Sequence, residues 1–128
     1  MKALIVEDDL NNVELLCARL KHLDCQAVIA PDTDTALAIA VDAGPDFILL
    51  DLKLGHDMMG GIDLMTRFKA TPALAGVPIV IHSVFVSLQS DVPDRLTEAD
   101  YLLPKPFRFE QLKAIIEEIR DRRASEAT

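Results

Sequence analysis

Asp46-Phe47-Ile48-Leu49-Leu50, closed by Asp51, is the stretch that decides the fold. Residues 46–50 read as a strand that is almost wholly apolar, and such a run suits a strand covered on both faces. Three other apolar runs end in polar groups in the same manner. Ala3-Leu4-Ile5-Val6 runs into Glu7-Asp8-Asp9, Pro78-Ile79-Val80-Ile81 into His82-Ser83, and Tyr101-Leu102-Leu103 into Pro104-Lys105-Pro106. In an open parallel sheet the strand C-termini lie along one edge, and sites form there. The four endings are therefore read as one site.

Outward from residues 46–50, strands alternate with helices. Strands are expected at 2–6, 26–30, 78–82 and 100–103. Residues 11–23 show Val13, Leu16, Cys17, Leu20 and Leu23 at helical spacing. Pro31-Asp32-Thr33-Asp34 is a turn that offers helix caps, and 35–43 is a short Ala-rich helix stopped by Gly44-Pro45. Residues 52–61 read as a loop rich in Gly and Met. Residues 62–70 form the next helix, with Ile62, Met65 and Phe68 toward the core, and Thr71-Pro72 ends it. Pro93 interrupts a helical segment over 86–99. Residues 109–122 form the last helix, with Leu112, Ile115, Ile116 and Ile119 in one stripe and Arg120, Arg122 and Arg123 matching its dipole. Alternation of this kind gives an α/β domain with a parallel sheet. One domain is expected over 1–122, with a tail at 123–128.

The chain has 128 residues, half of them apolar, and a formal net charge of -8. That length buries a core without disulfides or structural metal. The acidity argues against nucleic acid as a direct partner, because phosphate binding needs a basic surface. No apolar run approaches the ~20 residues that span a bilayer, and the N-terminus lacks a signal peptide's pattern. The expected location is the cytoplasm. Cys17 and Cys25 form no Cys-x-x-Cys pair and read as small buried hydrophobes, Cys17 on a helix and Cys25 at the start of a strand.

Glu7, Asp8 and Asp51 converge if the first and third strands are neighbours. Like charges that close repel, and a hard divalent cation among them makes the arrangement favourable. Mg²⁺ takes oxygen ligands and keeps several waters. Lys105, between two prolines, carries a compact charge within reach of Asp51 or a phosphoryl group on it. Ser83 adds a hydroxyl donor. Phosphoryl transfer is mainly positioning plus charge neutralisation, and a carboxylate serves as a nucleophile. Asp9 is the better helix cap of the three acids, which leaves Glu7 and Asp8 for metal. His82 alternates away from Ser83 and reads as a packed histidine. His56 and Asp57 read as solvated loop residues, and Met58 and Met59 as filler or a partner contact.

Four motifs together resemble the receiver domain of two-component response regulators: Ile5-Val6-Glu7-Asp8-Asp9, Ile48-Leu49-Leu50-Asp51-Leu52, Ile81-His82-Ser83 and Leu103-Pro104-Lys105-Pro106-Phe107. The resemblance runs from Lys2 to about Arg120. It implies a flavodoxin-like (βα)5 doubly wound sheet of order 2-1-3-4-5. It implies Asp51 as the phospho-accepting aspartate, Asp8 as a direct metal ligand, Glu7 as one acting through water, and the Lys53 main-chain carbonyl as a further ligand. The cofactor implied is Mg²⁺ (or Mn²⁺). Ser83 resembles the hydroxyl that turns toward the phosphoryl group, and Lys105 the lysine that salt-bridges it. A cis Lys105-Pro106 bond is implied as well. The donor implied is a histidine kinase or histidine phosphotransfer protein, and the output is a change in affinity for a downstream protein. The chain is then a phospho-accepting switch rather than an enzyme acting on other substrates.

The departures from that pattern are local. Gly55 stands four positions after Asp51, where proline is usual, and the 52–61 loop is longer than typical. Leu102 occupies a position that is usually aromatic, with Tyr101 one place earlier. Lys53 and Phe85 are expected to overlook the phosphoryl group, and a phenyl ring there predicts slow autodephosphorylation. Two other readings remain at this level. One is a receiver-like scaffold that signals without phosphate. The other is an Mg²⁺-dependent aspartate-nucleophile phosphohydrolase, although Lys53 stands where such enzymes place a second aspartate.

Overall fold

The computed structural model describes residues 1–52, 58–83 and 99–126. Five apolar runs become five parallel strands: β1 (Lys2–Val6), β2 (Gln26–Ala30), β3 (Phe47–Leu52), β4 (Ile79–Ser83) and β5 (Tyr101–Pro104). They form one sheet of order β2-β1-β3-β4-β5, as the resemblance implies. β1, β3 and β4 are buried on both faces over nearly their whole length, which explains their lack of polar alternation. Register pairs Val6 with Leu50, Asp51 with His82, and Ser83 with Pro104. That register carries the four polar strand endings to one rim.

Four α-helices are described: α1 (Leu10–His22), α2 (Thr33–Ala43), α3 (Met58–Ala70) and α4 (Phe109–Glu126). Leu16 and Leu20 of α1 and Leu112, Ile116 and Ile119 of α4 pack on one face with Ile5, Phe47, Leu49 and Val80. Ala36 and Ala40 of α2 and Ile62, Met65 and Phe68 of α3 pack on the other with Leu4, Ile48, Leu50 and Ile81. The sheet is thus doubly wound. Each large side chain buried there contributes about 1.5–3 kcal/mol relative to exposure.

The caps explain where the helices begin. Asp9 is the N-cap of α1, its Oδ1 accepting from the Asn11 N–H at 2.9 Å and the Asn12 N–H at 3.4 Å. Asp32 caps α2 by accepting from the Thr35 N–H and hydroxyl, each at 2.8 Å. Gly44 closes α2 at φ 59°, in the left-handed region, a conformation glycine adopts without steric cost. Asp9→Ala is expected to cost about 1 kcal/mol, read as a lower denaturant midpoint at unchanged slope.

Several boundaries differ from the sequence expectation. α1 starts at Leu10 rather than 11 and α2 at Thr33 rather than 35, because Asp9 and Asp32 are the residues that cap them. α3 starts at Met58, inside the stretch read as loop. β3 runs through Leu52, β4 through Ser83 and β5 through Pro104. Asp51 and Ser83 therefore lie within strands rather than beyond them. α4 continues to Glu126, past the expected end at 122. The expected irregular segment 86–99 lies outside the described residues, apart from Ala99.

The arginines at the end of α4 do more than face water. The Arg120 guanidinium donates to the Leu23 carbonyl, Arg122 Nη1 lies 3.1 Å from the Tyr101 hydroxyl, and Arg123 pairs with Asp46. They tie α4 to the N-terminal edge of the sheet, opposite the rim of strand endings. Cys25 is buried and Cys17 half-buried, both as free thiols. Burial pushes both thiols up from their ordinary value, which suits packing roles.

Candidate functional site

Parallel pairing fixes which endings meet. β3 lies between β1 and β4, so Asp51 sits centrally, with Glu7 on one side and His82 on the other. The Glu7 N–H continues the β1–β2 ladder by donating to the Ala30 carbonyl at 3.1 Å. One Glu7 carboxylate oxygen accepts from the Asp9 N–H at 3.0 Å. Glu7 is only 3 % exposed.

Lys105 arrives from the end of β5, where its N–H donates to the Ser83 carbonyl at 3.2 Å. The Lys105-Pro106 bond is cis, as the resemblance implies. The Lys105 ammonium pairs with Asp51 Oδ1 and lies 3.9 Å from Glu7 Oε2. The Glu7 and Asp51 side chains are 0 % and 4 % exposed, against 18 % for Lys105. Burial lowers the Lys105 pKa, and the carboxylates of Glu7, Asp9 and Asp8 pull it back up.

The charge balance at this rim is uneven. Two buried carboxylates share one ammonium. Glu7 Oε2 and Asp51 Oδ1 are shut from solvent, and the Lys105 ammonium stands against both. A buried carboxylate with incomplete partners costs several kcal/mol, and a cation offsets that cost. Glu7, Asp8 and Asp51 line one cavity of about 230 Å³, together with Asp32, Thr33 and Asp34 from the start of α2 and Gly61 of α3. The donor set is entirely oxygen, which suits a hard divalent cation. No three His, Cys, Asp or Glu side chains among the described residues are placed to cage a metal by themselves. Mg²⁺ keeps several waters and binds through one or two carboxylates.

Ser83 is fully buried at the end of β4, in register with Leu52. Strand alternation places its side chain on the face of Leu52, opposite Asp51 and His82. What Ser83 shares with Asp51 is the rim. Asp8 is exposed at the mouth of the cavity. Leu102 is 38 % exposed on β5. Tyr101 begins β5 at the opposite end of the sheet and reaches Arg122. Lys53, His56, Asp57 and Phe85 lie outside the described residues, and the Met58 and Met59 side chains with them.

Sequence reading passed over one contributor to the cavity. Residues 32–34 line the cavity because β2 neighbours β1, a placement that follows once the strand order 2-1-3-4-5 is taken seriously. His82, expected as a packed histidine, is 4 % exposed on the Asp51 side of the sheet. Its Nδ1 is 3.1 Å from the Leu103 carbonyl, and its ring meets Phe107 edge-on at 5.4 Å. A carbonyl only accepts, so Nδ1 carries the proton. Burial pushes the imidazole's pKa down, against smaller opposing effects of the Leu103 carbonyl and Glu7.

Comparison with known proteins agrees with this fold. The family described as "Response regulator receiver domain" matches residues 3–117. The response regulator PleD of Caulobacter vibrioides is 34 % identical over 134 residues, covering 97 % of this chain and 29 % of PleD. A CheY-like receiver domain from Methylobacillus flagellatus superposes with a TM-score of 0.80 at 28 % identity, over 93 % of this chain and 98 % of that one. The receiver domain of sensor histidine kinase PA1611 from Pseudomonas aeruginosa PAO1 has a TM-score of 0.78 at 26 % identity, over 91 % and 94 %. That structure is described with a magnesium ion coordinated in its active-site cleft. The chain belongs to the response regulator receiver domain family, whose general function is phosphoryl acceptance. It spans less than a third of PleD's length.

Proposed function

We propose that this chain is a phosphorylation switch in which Asp51 accepts a phosphoryl group from the phosphohistidine of a kinase or phosphotransfer protein. The observation that carries the reading is the trio of Asp51, Glu7 and Lys105, in which one half-buried ammonium stands against two buried carboxylates. In the transfer, an Asp51 carboxylate oxygen forms a bond to phosphorus while the donor's P–N bond breaks. The electron pair of that bond leaves on the imidazole, which takes up a proton.

The Lys105 ammonium faces the incoming phosphoryl oxygens and neutralises charge where it gathers, the main task in such a transfer. Ser83 ends β4 at the same rim, and it donates its hydroxyl to the product once its side chain turns from the Leu52 face toward Asp51. Asp8 and Asp51 directly, Glu7 through water and the Lys53 main-chain carbonyl would hold Mg²⁺, which supplies further neutralisation when bound. The acyl phosphate carries one more negative charge than the carboxylate it replaces. Lys105 and Ser83 respond by drawing toward it, and conformer populations at the rim shift. Affinity for a downstream protein follows. The chain's own chemistry is confined to gaining and losing this group. The reading places the protein in the cytoplasm, and no helix among the described residues is long and apolar enough to cross a membrane.

The test is incubation with a small-molecule phosphodonor, with the protein mass as the readout. The expected result is a gain of one phosphoryl group in Mg²⁺ and none in chelator. Labelling that is indifferent to Mg²⁺, or no labelling at all, overturns the reading.

A further inference from the structure

Two consecutive residues of β4 grip both sides of Lys105. The Ser83 carbonyl accepts from the Lys105 N–H at 3.2 Å. The His82 Nδ1–H donates to the carbonyl of Leu103, two positions before Lys105, at 3.1 Å. The His82 ring edge meets Phe107, two positions after it, at 77° between the ring planes. Ladder bonding of the backbone is ordinary for parallel strands. The two side-chain contacts are an addition peculiar to histidine here. An aliphatic residue of similar bulk would fill the space but leave the Leu103 carbonyl without this donor. A buried polar ring costs free energy unless its polar atoms are used, so its presence among the fully buried strands calls for a role.

We propose that His82 is a positioning residue for Lys105, clamping residues 103 and 107 so that the ammonium is held on Asp51. The inference rests on the functional reading above, because Lys105 is the charge that meets the phosphoryl group there. His82, Lys105, Pro106 and Phe107 line one small cavity with Asn12 and Leu15. That cavity gives the 103–107 corner room to relax once the clamp is gone. Lys105 then samples orientations in which its ammonium faces water rather than Asp51. Misplacement on this scale lowers the rate of a reaction that depends on alignment.

Two variants separate positioning from simple packing. His82→Leu keeps the bulk and removes the donor. His82→Asn returns an N–H donor near the Nδ1 position. One readout is labelling by a small-molecule phosphodonor in Mg²⁺. The other is competitive amine modification of Lys105 against exposed Lys113, which does not depend on phosphorylation. His82→Leu is expected to slow labelling by about tenfold, with Lys105 modified at least about threefold faster relative to Lys113. His82→Asn is expected to recover most of both. Lys105 modification unchanged in His82→Leu overturns the clamp, whatever the labelling does. Equal loss of labelling in both variants overturns it too, because that pattern means packing alone. A wild-type chain that takes no label, with Lys105 modification responding to His82 as expected, sinks the functional reading and leaves the clamp standing.

Discussion

Asp51→Asn is expected to lower phosphoryl labelling by about 1,000-fold or more, equivalent to about 4 kcal/mol of lost transition-state stabilisation. An amide oxygen is a far weaker nucleophile than a carboxylate. Glu7 is the carboxylate that shares the Lys105 ammonium with Asp51, but one of its oxygens accepts from the Asp9 N–H, and the other faces that ammonium at 3.9 Å. Stability is expected to move the other way. Asparagine is nearly isosteric with aspartate, and the change leaves one ammonium against one carboxylate instead of two. The thermal midpoint in metal-free buffer is therefore expected to hold or to rise by a few degrees, at about 3–6 °C per kcal/mol for a chain of this size. Labelling of the variant at the wild-type rate removes Asp51 from the reaction. A large fall in the midpoint contradicts the charge balance drawn for the trio.

The strands were legible because each is an apolar run, and in a doubly wound sheet an apolar run needs no alternation to be a strand. The helices were legible from stripes such as Leu112, Ile116 and Ile119, all buried against the sheet. The start of α3 was not. Gly60-Gly61 reads as loop because glycine weakens a helix by about 1 kcal/mol. In the structure a Cβ on Gly61 would stand 2.1 Å from the Leu52 side chain. The glycine is there to let α3 approach β3 closely, a packing reason invisible to local propensity. Asp51 and Lys105 were legible because each interrupts or follows an apolar run. The contact between them was a matter of strand order and register. His82 was hardest to read. A histidine at the end of an apolar run looks like any packed ring, and only the cross-strand carbonyl of Leu103, 21 positions away, shows what its N–H does.

Lys105→Met is expected to produce the largest combined loss of stability and phosphoryl acceptance. Methionine keeps an unbranched apolar stem and deletes the charge. The Glu7 and Asp51 carboxylates, 0 % and 4 % exposed, then face each other without the ammonium. Removing one partner of a buried ion pair costs about 3–5 kcal/mol, and the low end applies here because Lys105 keeps a solvent-facing side. The thermal midpoint in chelator is expected to fall by about 10 °C. Mg²⁺ is expected to recover more of this loss in the variant than it adds to wild type. The ammonium no longer repels the cation, and ligand binding to the folded state stabilises by mass action. Labelling in saturating Mg²⁺ is expected to drop by about 100-fold, the usual cost of removing one charge-stabilising donor. Lys105→Arg supplies the control. A guanidinium returns the positive charge and most of the stability, but its planar fork and greater reach place that charge differently, so the rate stays low. If the methionine variant keeps the wild-type midpoint in chelator, the two carboxylates do not depend on Lys105. In that case the ion pair at the rim is an incidental contact rather than the centre of the site.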